Sequence, residues 1–161
     1  MIYTVTLNPA LDRTITINDF QIGKVNRISE IRNDPGGKGI NVSKMLKNLG
    51  VESVAKGFLG RQTGEYINSR LRDEKIATDF LFIENPTRTN TKVVDNRNGT
   101  CTDINEPGEP VSEEAVRKLE GKLFSGLKKG DIVVFAGKGT PGMPDTLVGE
   151  WTTRCKFLGV R

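Results

Sequence analysis

The sequence predicts an α/β layered fold with a parallel central sheet and a second, smaller β sheet that forms a lid. Three observations support this prediction. Strand patterns alternate along the chain with helical patterns, which is the order of a parallel sheet covered by crossover helices. One segment, Asp131–Ala136 (DIVVFA), is an almost continuous apolar run, as expected for a parallel strand buried on both faces. Four polar alternating segments do not fit such a core and therefore predict the separate lid.

The elements of the central layer follow one another in a regular order. Strands are expected at Ile2–Leu7, Ser53–Leu59, Phe80–Ile83 and Asp131–Ala136. Helices are expected from Lys38 to Leu49, from a cap at Thr63 to Glu74, from a cap at Ser112, and from Pro144 to a stop at Gly159. Their predicted buried faces are Val42, Met45, Leu46 and Leu49; Ile67 and Leu71; Val116, Leu119 and Leu123; and Leu147, Trp151 and Cys155.

The lid strands are expected at about residues 13–17, 25–31, 87–95 and 100–104, the last two joined by a turn at Asn98-Gly99. The chain stops at Arg161 just after a helix, where a crossover should deliver the next strand. We therefore expect the 161 residues to be the N-terminal part of one truncated α/β domain.

Composition excludes several classes of function. The chain has no histidine, and its two cysteines show no metal-binding spacing, which excludes a usual zinc site and a His-based triad. The net charge of +4 comes from interspersed charges without a basic run, so we expect no nucleic-acid partner. No segment resembles a signal peptide or a membrane span, so we expect a cytoplasmic protein.

The segment Gly36–Asn41 (GGKGIN) gives the strongest functional signal, because three glycines and a lysine stand where a helix must begin. It matches neither a dinucleotide-binding fingerprint nor a Walker loop, although a plain glycine-rich turn would also fit it. Asp12 lies just past the first strand, at the sheet edge where open α/β folds bind ligands. A carboxylate opposite helix N–H groups suits a polyol, while an Asx turn is the alternative role for Asp12.

Five motifs carry a family resemblance: TLNPALD, GGKGIN, FLG, TRTN and DINEPG. In this order they resemble the N-terminal half of the phosphofructokinase B group of carbohydrate kinases, within the ribokinase-like superfamily. The resemblance implies a three-layer ribokinase-like fold and ATP-dependent phosphorylation of fructose 1-phosphate to fructose 1,6-bisphosphate, with Mg²⁺. Tagatose-6-phosphate kinase, 6-phosphofructokinase and a non-catalytic sugar-phosphate-binding fragment stay open as alternatives. A homodimer joined through the lid is also implied.

The resemblance implies eight substrate-binding residues: Asp12, Lys24, Asn26, Gly37, Lys38, Asn41, Arg88 and Asn90. Lys24 and Asn26 would close over the sugar from the lid, and Arg88 with Asn90 would fix the phosphate or neighbouring hydroxyls. A guanidinium suits phosphate, and amide and carboxylate groups suit hydroxyls. Taken alone, Lys24 and Arg88 would equally fit solvated cations on a strand face.

The sequence departs from the family pattern in two places. Members carry G-S-L-P-x-G after the DIVVFA strand, with the serine near substrate phosphate, whereas Gly137–Gly142 reads GKGTPG and has Lys138 in place of that serine. We therefore do not assign Lys138 to the site from the sequence. The family's G-A-G-D segment, which holds the catalytic aspartate, is absent before Arg161. The expected base and most contacts to ATP thus lie beyond this chain, which we expect to be inactive alone.

Overall fold

The computed structural model describes all 161 residues and contains two four-stranded sheets and four helices. The strands are β1 (Ile2–Thr6), β2 (Ala10–Ile17), β3 (Glu30–Gly36), β4 (Val54–Gly60), β5 (Ala77–Ile83), β6 (Arg88–Asp95), β7 (Thr100–Asn105) and β8 (Ile132–Phe135). The helices are α1 (Lys38–Asn48), α2 (Arg61–Asp73), α3 (Glu113–Phe124) and α4 (Leu147–Phe157). None of the helices is both long and apolar enough to span a membrane.

The central sheet has the strand order β5-β4-β1-β8, and every neighbouring pair is parallel. The chain moves from β1 to β4 and β5 on one side, and then crosses to place β8 on the other side of β1. The strand order therefore reverses between β1 and β8. In open α/β sheets such a reversal leaves a crevice at the carboxyl ends of the strands, which is where ligands bind.

Helices cover both faces of this sheet, so the predicted α/β layering is confirmed. Helices α1 and α2 share one buried cluster with β4 and β5: Leu11, Ile40, Ala55, Leu59, Ile67, Leu71, Ile76 and Phe80. Helices α3 and α4 share the other with β1 and β4: Val5, Leu7, Phe58, Leu119, Leu123, Phe124, Leu147, Trp151, Cys155 and Val160. Ser112 caps α3 as predicted, accepting from Ala115 N at 3.2 Å, whereas α2 begins at Arg61, before the predicted cap Thr63.

The polar strands form one separate sheet of order β3-β2-β6-β7, as the sequence predicts for the lid. Three of its strands lie within a few residues of the predicted bounds, but the strand expected at 25–31 is wrong. The strand runs instead over Glu30–Gly36, where it pairs antiparallel with β2 and matches Asp34 to Asp12. Residues 25–29 have no strand conformation, and Val25 is 83% exposed.

The predicted buried face of α1 is wrong at Met45 and Leu49, while its other two members, Val42 and Leu46, are partly buried. Met45 and Leu49 are 58% and 69% exposed, whereas Ile40 and Ser43 are fully buried. The hydroxyls of Ser43 and Thr4 hydrogen bond at 2.7 Å, which satisfies both polar groups inside the core. A buried serine gives no hydrophobic signal, and the apolar periodicity of this helix therefore points to the wrong side.

Candidate functional site

A polar cleft of about 950 Å³ opens between the central sheet and the lid. Its walls come from the end of β1, the start of β2, the amino end of α1, the start of β6 and residues 136–148 after β8. Six of the eight predicted site residues line it: Asp12, Gly37, Lys38, Asn41, Arg88 and Asn90. Pockets of roughly 300–1,000 Å³ hold small molecules in other proteins. The fold thus brings separate segments together at the crevice where the strand order reverses.

The glycines of GGKGIN allow α1 to begin against β1. Gly37 is the residue before the helix and has a φ of 120°, which side-chain-bearing residues rarely adopt. A Cβ on Gly39 would lie 2.5 Å from Thr6 Oγ1, so only glycine permits this approach. The first hydrogen bond of the helix joins Asn41 N to Gly37 O at 2.9 Å. The N–H groups before Asn41 have no partner within the helix, and such groups favour an anion or a hydroxyl.

Three polar side chains on the lid side form a connected chain of hydrogen bonds. The amide of Asn90 donates to Asp12 Oδ1 at 3.0 Å, and Arg88 Nη1 donates to Asn90 Oδ1 at 3.2 Å. Asp12 and Asn90 are direct partners in the parallel register of β2 and β6, which places both side chains on one face. The amide of Asn90 therefore fixes the carboxylate and the guanidinium relative to each other.

Three residues that line the cleft each have one buried polar atom without a hydrogen-bond partner in the protein: Thr6 Oγ1, Arg88 Nε and Thr140 Oγ1. The two threonines are only 2% and 9% exposed. Buried polar atoms in native proteins are nearly always paired with protein, water or ligand. The three residues line one cleft, but the three atoms themselves are enclosed by protein and have almost no accessible surface.

Asn8 holds two loops beside Arg88, a role that the sequence analysis missed. Its side-chain amide donates to Pro107 O at 3.0 Å and to Gly139 O at 3.4 Å, and its backbone oxygen accepts from Arg88 Nη2 at 3.5 Å. The only sequence signal for Asn8 is its place in TLNPALD, directly after the strand predicted at Ile2–Leu7. The contact connects the 137–142 loop with the guanidinium.

Lys24 and Asn26 lie outside the cleft of the single chain. Lys24 is exposed, and Asn26 closes a local turn: its oxygen accepts from Gln21 N at 2.9 Å and its amide donates to Gln21 O at 2.8 Å. The structure therefore does not bring these two predicted residues together with the other six.

The loop that carries Lys24 is anchored at its start by Asp95. The Asp95 carboxylate accepts from the backbone N–H groups of Asp19 and Phe20 at 3.0 and 2.8 Å, and from the Asn98 amide at 2.8 Å. Hydrogen bonding from Asn98, aided by these backbone groups and opposed by burial, lowers the pKa of Asp95 to about 2. The carboxylate thus joins the β6–β7 turn to the segment after β2.

The cleft carries more uncompensated positive than negative charge. Lys38, Arg88 and Lys138 all line it, and none forms an ion pair with a carboxylate. The lining carboxylates are Asp12 and Asp145. Free cations beside hydroxyl-binding groups suit a ligand that carries both an anionic group and hydroxyls.

Comparison with known proteins agrees with this geometry. Residues 5–161 match the pfkB family carbohydrate kinase description. The chain is 42% identical over its full length to the 1-phosphofructokinase of Bacillus subtilis, of which it covers 52%. It is 32% identical to the tagatose-6-phosphate kinase of Staphylococcus epidermidis, with 99% of this chain and 51% of the relative covered. The chain thus spans about half the length of the curated relatives it matches.

Solved structures give the same result. The phosphofructokinase-2 of Escherichia coli in complex with fructose-6-phosphate superposes with a TM-score of 0.93 at 29% identity, covering 99% of this chain and 52% of that one. The same enzyme is also known in a tetrameric inhibited form. A ribokinase from Giardia lamblia shares the fold, with a TM-score of 0.74 at 20% identity, 99% of this chain and 52% of that one being covered. The predicted ribokinase-like fold is therefore confirmed, and the chain belongs to the pfkB family of carbohydrate kinases.

Proposed function

We propose that this chain carries the sugar-phosphate side of a 1-phosphofructokinase, which transfers the γ-phosphoryl group of ATP to the free primary hydroxyl of fructose 1-phosphate. The observation that carries the proposal is the hydrogen-bonded chain of Asp12, Asn90 and Arg88, which lines a cleft with more cationic than anionic side chains. A carboxylate accepts from sugar hydroxyls, and a guanidinium donates to phosphate. The similarity to the 1-phosphofructokinase of Bacillus subtilis supports this choice of substrate.

Each residue of the cleft has a role in this proposal. Asp12 and Asn41 bind hydroxyls of the ketose from opposite walls, and the backbone at Gly37 lets the sugar approach α1. Lys38 at the first turn of α1 and Arg88 on the lid carry the positive charge that the phosphate requires. Asn90 orients both Asp12 and Arg88 through its amide, and it also contacts hydroxyls.

In this proposal ATP and Mg²⁺ are not assigned to residues of this chain. No group of three or more His, Cys, Asp or Glu side chains is clustered so that it could hold a metal ion. The proposal assigns the nucleotide and the catalytic base, by the family resemblance, to the part of the relatives' length that this chain does not span. The residues of this chain bind the acceptor sugar and hold the sugar's phosphate away from the reacting hydroxyl.

Two other substrates remain as alternatives, tagatose 6-phosphate and fructose 6-phosphate. The relative from Staphylococcus epidermidis is named a tagatose-6-phosphate kinase, and the Escherichia coli phosphofructokinase-2 was solved with fructose-6-phosphate. A fragment that binds sugar phosphate but catalyses no reaction is the alternative from another functional class. The cleft suits all of these ligands, because each combines a phosphate with ketose hydroxyls.

We also propose that the lid joins two copies of the chain. Ile28, Ile31 and Ile104 on or beside the lid sheet are each about half exposed. Exposed apolar residues on one sheet favour a covering layer, and a second lid would supply it. Lys24 and Asn26 lie on the loop of this same lid.

The experiment that tests the function is calorimetric titration of the purified 161-residue chain with fructose 1-phosphate, fructose 6-phosphate, tagatose 6-phosphate and fructose. Tightest binding of fructose 1-phosphate is the expected result. Tightest binding of tagatose 6-phosphate would favour that alternative, and the absence of binding to any phosphorylated ketose would overturn the proposal.

A further inference from the structure

The segment Glu106–Gly108, which follows β7, packs around the side chain of Arg88. Glu106 O accepts from Arg88 Nη1 at 2.6 Å, which is the shortest hydrogen bond that the guanidinium forms. Gly108 has a φ of 88°, and a Cβ there would lie 3.3 Å from Arg88 Cδ and 2.7 Å from Asn8 Oδ1. Glycine at residue 108 permits both this backbone conformation and the close approach to Arg88.

The carboxylate of Glu106 folds back onto the start of β6. Its Oε2 accepts at 2.8 Å from the backbone N–H of Thr89, the residue directly after Arg88. The pairing of β6 with β7 ends at Asn90 and Asn105, so this bond extends the contact beyond the last strand pair. Glu106 thus contacts two consecutive residues, Arg88 through its backbone oxygen and Thr89 through its side chain.

The side-chain bond helps to fix where the backbone oxygen of Glu106 lies. Residue 106 follows the end of β7, so no strand pairing holds its backbone. The carboxylate provides a hold through the N–H of Thr89. Because Glu106 is exposed, water can replace the carboxylate at Thr89 without unfolding the chain, but water cannot fix the oxygen beside the guanidinium.

We propose that Glu106 is a positioning residue for Arg88: its carboxylate fixes the backbone oxygen that orients the guanidinium, and this sets the affinity for the phosphate of the substrate. The inference rests on the proposed function, in which Arg88 contacts that phosphate. Glu106 does not itself line the cleft, so it acts through Arg88. A guanidinium that is already oriented loses less conformational entropy on binding than a mobile one.

The test compares variants of the 161-residue chain by calorimetric titration with fructose 1-phosphate and with fructose. Glu106→Ala removes the carboxylate, whereas Glu106→Gln keeps an oxygen that can accept from Thr89 N. Glu109→Ala is the matched control, because Glu109 is an exposed carboxylate close by in the chain that forms no ion pair. Arg88→Ala, alone and combined with Glu106→Ala, completes a double-mutant cycle. Circular dichroism of each variant checks that the fold is retained.

Glu106→Ala is expected to weaken fructose 1-phosphate binding by about fivefold and fructose binding by less than about twofold. Glu106→Gln and Glu109→Ala are expected to bind fructose 1-phosphate within about twofold of the wild-type chain. In the Arg88→Ala background, Glu106→Ala should have no further effect, because no guanidinium remains to be oriented. Equal losses for the two ligands, or the same loss with and without Arg88, would overturn the inference.

A measurement without ligand separates failure of this inference from failure of the proposed function. The Nε–H resonance of Arg88 in a nitrogen-15 NMR spectrum, assigned by its absence from Arg88→Ala, reports the order of the guanidinium. We expect it to be the same in wild type and Glu109→Ala, and shifted or broadened in Glu106→Ala. If the wild-type chain binds no phosphorylated ketose, that change would still support the positioning role, whereas an unchanged resonance would overturn it.

Discussion

Asn90 donates from its side-chain amide to Asp12 Oδ1 at 3.0 Å, across directly paired positions of two parallel lid strands. The same amide group accepts from Arg88 through its oxygen. One asparagine therefore places a carboxylate and a guanidinium side by side without a direct ion pair between them. Both charged groups can still form hydrogen bonds with a ligand, and their contributions to binding can be separated by mutation.

Asp12→Ala should weaken binding of fructose 1-phosphate and of fructose alike, by about 1–3 kcal/mol, because the carboxylate is proposed to accept from sugar hydroxyls that both ligands share. Calorimetric titration of the variant with each ligand measures the two losses. A loss confined to fructose 1-phosphate would contradict the hydroxyl-binding role.

Arg88→Ala should weaken fructose 1-phosphate binding by about 1–3 kcal/mol and fructose binding much less, because the guanidinium is proposed to contact the phosphate. The same pair of titrations measures it. Since Arg88 also donates to Asn8 O and Glu106 O, thermal unfolding of the variant should be followed as a control. Equal losses for both ligands would remove the assignment to phosphate.

The two faces of α1 should differ in their contribution to stability. Ile40→Ala should lower the free energy of unfolding by about 2–5 kcal/mol, because the side chain is completely buried. Met45→Ala is the matched control on the same helix; with Met45 58% exposed, its effect should stay within about 0.5 kcal/mol. Urea unfolding followed by the fluorescence of Trp151 measures both. A larger loss of stability for Met45→Ala than for Ile40→Ala would indicate that the face predicted from the sequence pattern is the buried one.

Acid should release the loop that Asp95 anchors. The pKa of Asp95 is lowered from 3.8 to about 2 in the folded chain, so its stabilising effect is complete above pH of about 4. The effect is lost as the pH falls from about 4 towards 2, where the carboxylate becomes protonated. Urea midpoints of wild type and Asp95→Asn, measured from pH 6 downward, should converge over this window. A constant difference between them would show that the charge of Asp95 is not what anchors the loop.

The 161-residue chain alone should show no ATP-dependent phosphorylation of fructose 1-phosphate. Phosphoryl transfer requires the donor phosphate, a metal and a base placed together around the acceptor hydroxyl. The chain provides groups for the acceptor, but it does not contain the G-A-G-D segment that holds the catalytic aspartate in the family pattern. A coupled assay for fructose 1,6-bisphosphate on mass-verified protein measures this. Turnover above a protein-free control would overturn the expectation that the catalytic base lies elsewhere.

The parts of the fold that local sequence determines were predictable. Ser112 caps α3 because its hydroxyl accepts from a nearby N–H. The strand at Asp131–Ala136 also forms, but the burial expected for it is wrong, because β8 is an edge strand and Ile132–Phe135 are only partly buried. The strand at Glu30–Gly36 was not predictable, since Pro35 and its charged neighbours are typical of a loop. Its strand conformation comes from pairing with β2, which is distant in sequence.

The candidate site was likewise predictable only in the parts that local sequence determines. GGKGIN indicated the start of α1, because the glycines there answer a local requirement of the backbone. The role of Asn8 and the exclusion of Lys24 from the cleft depend on how separate loops meet, and no spacing in the sequence encodes that. The buried side of α1 was missed because Ser43 is buried through a hydrogen bond and not through hydrophobicity.

The lid is joined to the central sheet by very short connections. Only Leu7–Pro9 separate β1 from β2, and only Gly37 separates β3 from α1. Leu7, Asn8 and Gly37 all line the cleft, so the shortest connections between the lid and the central layer lie at the candidate site itself. A tilt of the lid about these short connections would move Asp12, Arg88 and Asn90 together relative to the start of α1. A ligand that contacts both the lid and the start of α1 would then fix the tilt of the lid as it binds.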